Sequence, residues 1–146
     1  MAVLVPDTRF EDYPGVPRRI VLLTFEGGQA TDVVGPHDVF AVANEVMERK
    51  GKARDGYELL IAAPTMGPLR MESGLLLAPD CTLDELPRKF DTLIVAGGRG
   101  ARQAAFSAAL VETVAKRAKR ARRVASVCTG AFVLGAAGLL DGRRAT

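Results

Sequence analysis

The sequence has few of the residues that stabilise small secreted domains or bind metal ions. Only two cysteines and one histidine occur among 146 residues, and they lie far apart along the chain. Two cysteines are too few for a disulfide framework, which favours a reducing compartment, and the scattered Cys and His positions match no usual metal-ligand spacing. We therefore predict a cytoplasmic protein that needs no metal and no cofactor.

Long hydrophobic runs and a large net charge are absent as well. The apolar stretches are short and interrupted by glycine, so none is long enough to span a bilayer, and we expect no membrane partner. The 20 basic residues exceed the 17 acidic ones by three, an excess too small to indicate nucleic-acid binding by itself. With 48% hydrophobic and 25% charged residues, the composition is typical of one globular domain.

Apolar runs of strand length alternate with segments of helical period. Residues 1–17 contain three prolines and no lasting period, and we interpret them as an N-terminal tail before a single domain over 18–146. The predicted strands lie at 19–25, 57–63, 91–96 and 123–127, with a hairpin at 69–77 and a helical turn at 82–86. The predicted helices lie at 36–50, 108–121 and 131–137. This alternation predicts an α/β fold, a flavodoxin-like parallel sheet with helices on both faces.

The first predicted helix carries an apolar stripe on one side. Pro36 suits its first position and Gly51 its end. We expect the stripe to face the sheet; its members are Val39, Phe40, Ala43, Val46 and Met47.

Cys128 stands where a buried strand passes directly into a helix, with Gly130 two residues further on. Ligands bind at the carboxyl ends of strands in parallel sheets. A tight turn there places the sulfur near helix amides that stabilise a thiolate, as in the nucleophile elbow of hydrolases. An inert buried cysteine is the alternative, and position alone gives the two interpretations equal weight.

Residues at the ends of the neighbouring strands could complete a site. Gly97 and Gly98, together with the amide of Thr129, could form an oxyanion hole beside the sulfur, although a lone Gly-Gly pair is a weak signal. Asp32 follows the first strand and could exchange protons with Cys128 across the sheet. On spacing alone, a solvated turn aspartate is the preferred interpretation of that residue.

Two other features are interpreted as structural. His37, the single histidine, lies at the start of a helix and is expected to be structural or solvent-facing rather than a partner of the cysteine. The run Lys116–Arg123 holds six basic residues. DNA contact is one interpretation, but we prefer a solvated helix face whose cations oppose the helix dipole.

The segments TDVVGPHDVFAVAN, VAGGRGA and RVASVCTGAFVLGAAGLLDGRRAT resemble the ThiJ/PfpI superfamily, whose fold is that of class I glutamine amidotransferases. The resemblance covers about residues 19–146. It is nearest to the N-terminal domain of AraC-type transcriptional regulators of the GlxA kind, and isonitrile hydratases are similar over the same segments. By this resemblance Cys128 is the elbow cysteine, Asp32 the acid that faces it, Gly97 and Gly98 the strand-end glycines, and Thr129 the residue after the nucleophile.

The resemblance implies a small-molecule-sensing domain of an AraC-type regulator, here without the helix-turn-helix part through which DNA would be bound. The alternative is a cysteine-dependent hydratase, a lyase that converts an isocyanide to an N-substituted formamide. A third possibility is a domain whose cysteine is merely oxidised. Protease-like members have histidine after the cysteine, and Thr129 at that position argues against a peptidase.

The resemblance also carries expectations about size and assembly. Relatives continue beyond the position of Thr146 with a further strand and helices, so we expect this chain to be truncated at its C-terminal end. Homodimers are usual in the superfamily, and a homodimer is expected here.

Overall fold

The computed structural model describes residues 2–4, 18–52 and 56–144, with the backbone alone for 2–4. Eight strands and four α-helices follow one another along this part of the chain. The strands are β1 Ala2–Leu4, β2 Arg18–Leu23, β3 Tyr57–Ala63, β4 Leu69–Arg70, β5 Leu76–Leu77, β6 Cys81–Thr82, β7 Phe90–Val95 and β8 Ala121–Ser126. The helices are α1 Ala30–Arg49, α2 Gly100–Phe106, α3 Ala108–Ala118 and α4 Gly130–Ala136, with a 3-10 turn at Leu83–Glu85.

A six-stranded sheet in the order β1-β8-β7-β2-β3-β6 forms the centre of the molecule. Five of its strands are parallel, and β1 pairs antiparallel with β8. The middle strand β2 is buried on both faces, as its continuous apolar run predicts; Leu22 is 1% exposed and Leu23 is fully buried. The predicted flavodoxin-like α/β fold is confirmed.

Each face of the sheet has its own apolar core. Alternate residues of the strands point to opposite faces, so Leu22 and Ile94 pack with Val33 of α1, while Leu23 and Val95 pack with α2, α3 and α4. The helices therefore cover both faces, as expected. No helix in the described part of the chain has the length and apolar character needed to cross a membrane.

The predicted strands and hairpin are present with bounds shifted by one or two residues, but α2 was not predicted. It has only seven residues, and its buried side chains are the small Ala101 and Ala104, so its period is inconspicuous in the sequence. Ser107 separates it from α3, where its hydroxyl accepts the Leu110 N–H at 3.4 Å.

Helix α1 begins at Ala30, six residues before the predicted start at Pro36. Pro36 lies inside the helix, where it has no N–H to donate to the preceding turn, so one helical hydrogen bond is missing. Burial of Ala30 and Val33 against the sheet stabilises the turn before it. Gly51, at φ +70°, lies just beyond the helix end as predicted.

The expected inner stripe of α1 is wrong for two of its members, because Val39 and Val46 are 67% and 40% exposed. The helix is rotated so that Asn44 faces the sheet edge. Its Nδ2 donates to the Tyr57 carbonyl at 2.8 Å and its Oδ1 accepts the Tyr57 N–H at 2.7 Å. Phe40 meets the Tyr57 ring edge-on, with centroids 4.8 Å apart. These contacts turn the two valines towards solvent.

The predicted tail contains a strand. Residues 2–4 form β1, whose Ala2 pairs with Ser126 of β8, so these residues belong to the sheet. Backbone pairing satisfies main-chain groups of β8 that would otherwise be unpaired at an edge. The remainder of 1–17 lies outside the described residues.

The prediction of a solvated helix face is correct for only part of the basic run. Lys116, Lys119 and Arg120 are exposed at the end of α3, but the run continues into β8, where the Arg122 side chain is only 5% exposed. Arg122 donates to both carboxylate oxygens of Asp91, at 2.6 and 3.1 Å, and Arg123 donates to Asp91 Oδ1 at 3.2 Å and Thr92 Oγ1 at 3.1 Å. Arg117 donates to backbone carbonyls just before β7. These side chains therefore join neighbouring elements.

Asp91 is the acid that both Arg122 and Arg123 contact. Burial raises the pKa of its carboxyl, but the hydrogen bonds from Arg122 and Thr92 and the charges of Arg122 and Arg123 outweigh that effect, so the pKa lies below its ordinary value. The carboxylate is thus held in its charged form between β7 and β8.

Candidate active site at the carboxyl end of the sheet

Three parallel strands end side by side and define the candidate site. β7 lies between β2 and β8, so the segments that follow these strands meet at one edge of the sheet. The segments are 24–29, 96–99 and 127–129. They contain four of the predicted site residues, Gly97, Gly98, Cys128 and Thr129, and the first of them leads into the turn of α1 that carries Asp32.

Cys128 occupies the predicted tight turn between β8 and α4. Its φ of +52° is the only positive value among the described non-glycine residues, a conformation that costs energy and is typical of elbows that present a nucleophile. Hydrogen bonds hold the turn on both sides, from the Val127 N–H to Val95 O at 2.9 Å and from the Gly130 N–H to Val127 O at 3.0 Å. Cys128 itself is exposed, so it is not the buried cysteine of the alternative interpretation; its reactivity stays a prediction.

Asp32 is buried rather than a solvated turn residue, so the interpretation preferred on spacing alone is wrong. It lies in the first turn of α1 and is 9% exposed. Its Oδ2 accepts the Gly97 N–H at 3.0 Å. A buried carboxylate needs hydrogen-bond donors, and the strand-end amide supplies one.

Gly97 brings the acid and the cysteine together. A Cβ on Gly97 would lie 2.6 Å from the Thr129 nitrogen and 2.9 Å from the Cys128 Cβ, closer than atoms can approach. Only glycine leaves room for the elbow at this point. The α-carbon of Gly97 therefore faces the elbow, while its amide donates to Asp32.

The predicted oxyanion hole is partly occupied by the protein's own acceptors. The Gly97 amide donates to Asp32, and the Gly98 amide donates to Thr129 Oγ1 at 3.0 Å. The Thr129 hydroxyl in turn donates to the Gly98 carbonyl at 3.1 Å. These groups hold the strand ends in place, so the two glycines act as supports in this arrangement. Oxyanion binding by the Thr129 amide stays a prediction.

A neighbouring hairpin was predicted, but its place beside the site was not. β4 and β5 form it around Ser73-Gly74, and it packs against the loop that follows β2. Its Glu72 carboxylate accepts the Arg99 N–H at 2.9 Å and lies 2.8 Å from the Arg99 Nε. No periodic pattern marks Glu72, so only the tertiary structure brings it to the site.

The remaining titratable candidates lie apart from this arrangement. His37 is partly exposed in α1, with its Nδ1 3.8 Å from Asp38 Oδ1. Cys81 is half-buried in β6; burial, followed by the charges of Asp80 and Glu85, raises the pKa of its thiol, and Arg19 opposes the shift. Within residues 2–4, 18–52 and 56–144, no group of three His, Cys, Asp or Glu side chains could hold a metal ion.

Comparison with known proteins matches the DJ-1/PfpI family over residues 18–146. The chain is 44% identical, over 89% of its length, to a protein of the cpoL 5′ region of Streptomyces lividans, covering 86% of that protein. It is 34% identical to the isonitrile hydratase of Pseudomonas putida over 88% of its length, covering 51% of that enzyme. A match to the transcriptional regulator GbdR of Pseudomonas aeruginosa is 41% identical but covers only 47% of this chain and 18% of the regulator.

Among crystal structures, a ThiJ/PfpI family protein from Pseudomonas syringae superposes with a TM-score of 0.73 at 31% identity. The match covers 95% of this chain and 55% of that protein. The chain thus spans about half the length of both the hydratase and the P. syringae protein.

Proposed function

The chain belongs to the DJ-1/PfpI family, and we propose that it is the catalytic part of a cysteine-dependent hydratase that adds water to an isocyanide. One observation carries this proposal. An exposed cysteine in a strained elbow and a buried carboxylate both adjoin Gly97. A nucleophile beside a group that can hold a proton is what addition of water to an electrophilic carbon requires.

The proposed reaction proceeds through a covalent intermediate on Cys128. The sulfur attacks the terminal carbon of the isocyanide while the thiol proton, held by Asp32, is delivered to that carbon. The product of this step is a thioimidate. Water then adds to the same carbon, the nitrogen gains a proton, and the C–S bond breaks to release an N-substituted formamide and restore the thiol. Asp32 exchanges the protons, and no other reactant is consumed.

The comparisons support this proposal over ligand sensing, which the sequence resemblance placed first. The match to isonitrile hydratase extends over 88% of the chain, whereas the match to GbdR extends over 47%. The threonine after the cysteine also leaves the site without the histidine expected of a peptidase. Homodimer formation and a cytoplasmic location stay predictions.

Turnover of a simple alkyl isocyanide by the purified chain tests the proposal. We expect formation of the formamide, followed by NMR, and a rate loss of about 10³-fold or more for Cys128→Ser and about 10²-fold for Asp32→Asn, because the nucleophile and the proton carrier act together. Glu58→Gln, at the other end of the sheet, is the control and should retain the wild-type rate. A folded wild type that forms no formamide rules out the hydratase proposal.

Ligand sensing without turnover is the second candidate function, favoured by the partial match to a helix-turn-helix regulator. In that case the same site would bind a small molecule, and DNA would be bound only by a helix-turn-helix domain outside this chain. A thermal shift with a panel of small amines and amides, lost in Cys128→Ser, would support sensing if the wild type forms no formamide.

A further inference from the structure

The hairpin of residues 69–77 packs at the carboxyl end of the large sheet, beside the candidate site. β4 and β5 pair with each other as a separate two-stranded sheet. The Met71 side chain is 2% exposed and packs against Gly28, where a Cβ would lie 3.2 Å from its terminal methyl. The Gly27 N–H donates to the Arg70 carbonyl at 2.8 Å. The hairpin is therefore held against the loop that leads into α1.

Glu72 connects this hairpin to both loops of the site. Its backbone N–H donates to the Gly28 carbonyl at 2.8 Å, and its Oε2 accepts the Arg99 N–H at 2.9 Å. The two loops are joined directly by the Gln29 N–H, which donates to the Gly97 carbonyl at 2.8 Å. These contacts form a closed ring of hydrogen bonds through the hairpin, the loop after β2 and the loop after β7.

The ring adjoins the hydrogen bond between Gly97 and Asp32, because Gly97 belongs to both. Gln29 precedes Asp32 by three residues, and Arg99 follows Gly97 by two, so a shift of either loop moves the carboxylate relative to the strand-end amide. We infer that Glu72 is a positioning residue that fixes the Gly97–Asp32 contact by holding the Arg99 backbone. The catalytic part of this inference rests on the proposed hydratase function, whereas its structural part can be measured separately.

The backbone hydrogen bond, rather than the ion pair, provides this positioning. The Arg99 side chain is 87% exposed, and ion pairs in solvent contribute little. The Glu72 side chain is only 25% exposed, and its bond to a main-chain amide fixes the loop itself. Glutamine at position 72 keeps an acceptor for that amide, whereas alanine removes it. Glu72→Gln and Arg99→Ala should therefore be mild, and Glu72→Ala should not.

Steady-state hydration of an alkyl isocyanide tests the catalytic part. Glu72→Ala should lower kcat about tenfold with KM nearly unchanged, because a small displacement of reacting groups mainly affects the chemical step. Glu72→Gln and Arg99→Ala should stay close to wild type, as should the control Glu58→Ala, which removes an Arg-Glu pair at the opposite end of the sheet. If Glu72→Ala fails to fold, Glu72→Asp replaces it, since the shorter side chain withdraws the carboxylate from the Arg99 amide. Wild-type kcat in the variant that folds overturns the inference.

Amide hydrogen exchange followed by NMR tests the structural part without turnover. The Gly97 amide should exchange faster in Glu72→Ala than in wild type, while amides in the centre of β2 stay protected. This result in a protein that forms no formamide would exclude the hydratase but support the positioning role. Unchanged protection at Gly97 overturns the inference. So does an equal loss of protection throughout the sheet, which would indicate general destabilisation.

Discussion

Asp91 and Asp32, at the two ends of the parallel sheet, have opposite kinds of partner. At the amino end, Asp91 of β7 meets Arg122 of β8, and Glu58 of β3 meets Arg19 of β2 at 2.7 Å. Each of these four residues is the second residue of its strand, so the parallel register places acid beside base. At the carboxyl end, the buried Asp32 accepts a hydrogen bond from a neutral backbone amide.

This difference separates stability from chemistry. The pKa of Asp91 is lowered by its guanidinium partners, and the charged pair holds β7 and β8 together. A carboxylate bonded to an amide keeps its second oxygen for a proton or a ligand, and no ion pair to Asp32 is found among the described residues. The comparison predicts that the amino end contributes folding energy, whereas the carboxyl end contributes reactivity.

Replacement of Asp91 should have the largest effect on stability. Asp91→Asn takes a charged partner from the Arg122 guanidinium, which is 5% exposed, and we expect a loss of about 3 kcal/mol in the free energy of unfolding. The matched control Glu58→Gln changes a carboxylate that is 41% exposed and should cost less than about 1 kcal/mol. Urea unfolding measures both. Equal losses in the two variants would contradict the importance given to burial.

Acid should lower the free energy of unfolding by protonating Asp91 at the amino end of the sheet. Near neutral pH this contribution of Asp91 should be unchanged. Because the folded-state pKa of Asp91 is depressed, its contribution is fully present above the unfolded value of about 3.9 and is lost as pH falls through the folded pKa. Urea unfolding from pH 7 down to pH 3 should show this decline in wild type. The decline should be shallower in Asp91→Asn, and an identical slope in both proteins would show that Asp91 does not cause it.

The parts of the fold that could be predicted depend on local patterns. Continuous apolar runs predict the buried strands, and a strand that passes directly into Cys128-Thr129-Gly130 predicts the elbow. The start of α1 could not be predicted, because Pro36 is a strong local signal for a helix start. Tertiary contacts of Ala30, Asp32 and Val33 outweigh it.

Side-chain roles proved harder to predict than strands, since they depend on partners distant in sequence. In the sequence, Arg122 belongs to a basic run that we interpreted as solvated. Its partner Asp91 lies on β7, 31 residues away, and only the pairing of β7 with β8 brings the two together. Spacing alone predicts that Asp32 is a solvated turn residue. The amide that bonds it belongs to Gly97, 65 residues away. Resemblance to a family placed Asp32 at the site, facing Cys128, but indicated neither of these contacts.

The two cysteines show that the carboxyl end alone does not make a residue reactive. Cys81 also lies near this end, since it pairs with Ala62 of β3, but at the sheet edge and half-buried. Burial raises the pKa of its thiol, which lowers its thiolate fraction, whereas Cys128 is exposed in the elbow.

We expect iodoacetamide at neutral pH to label Cys128 faster than Cys81 by about tenfold, because the thiolate is the reactive form and access limits its attack. Peptide mapping after brief labelling measures the ratio, with Cys128→Ser and Cys81→Ala identifying each product. Labelling of Cys81 at an equal or greater rate would mean that the position of Cys128 in the elbow does not make its thiol more reactive.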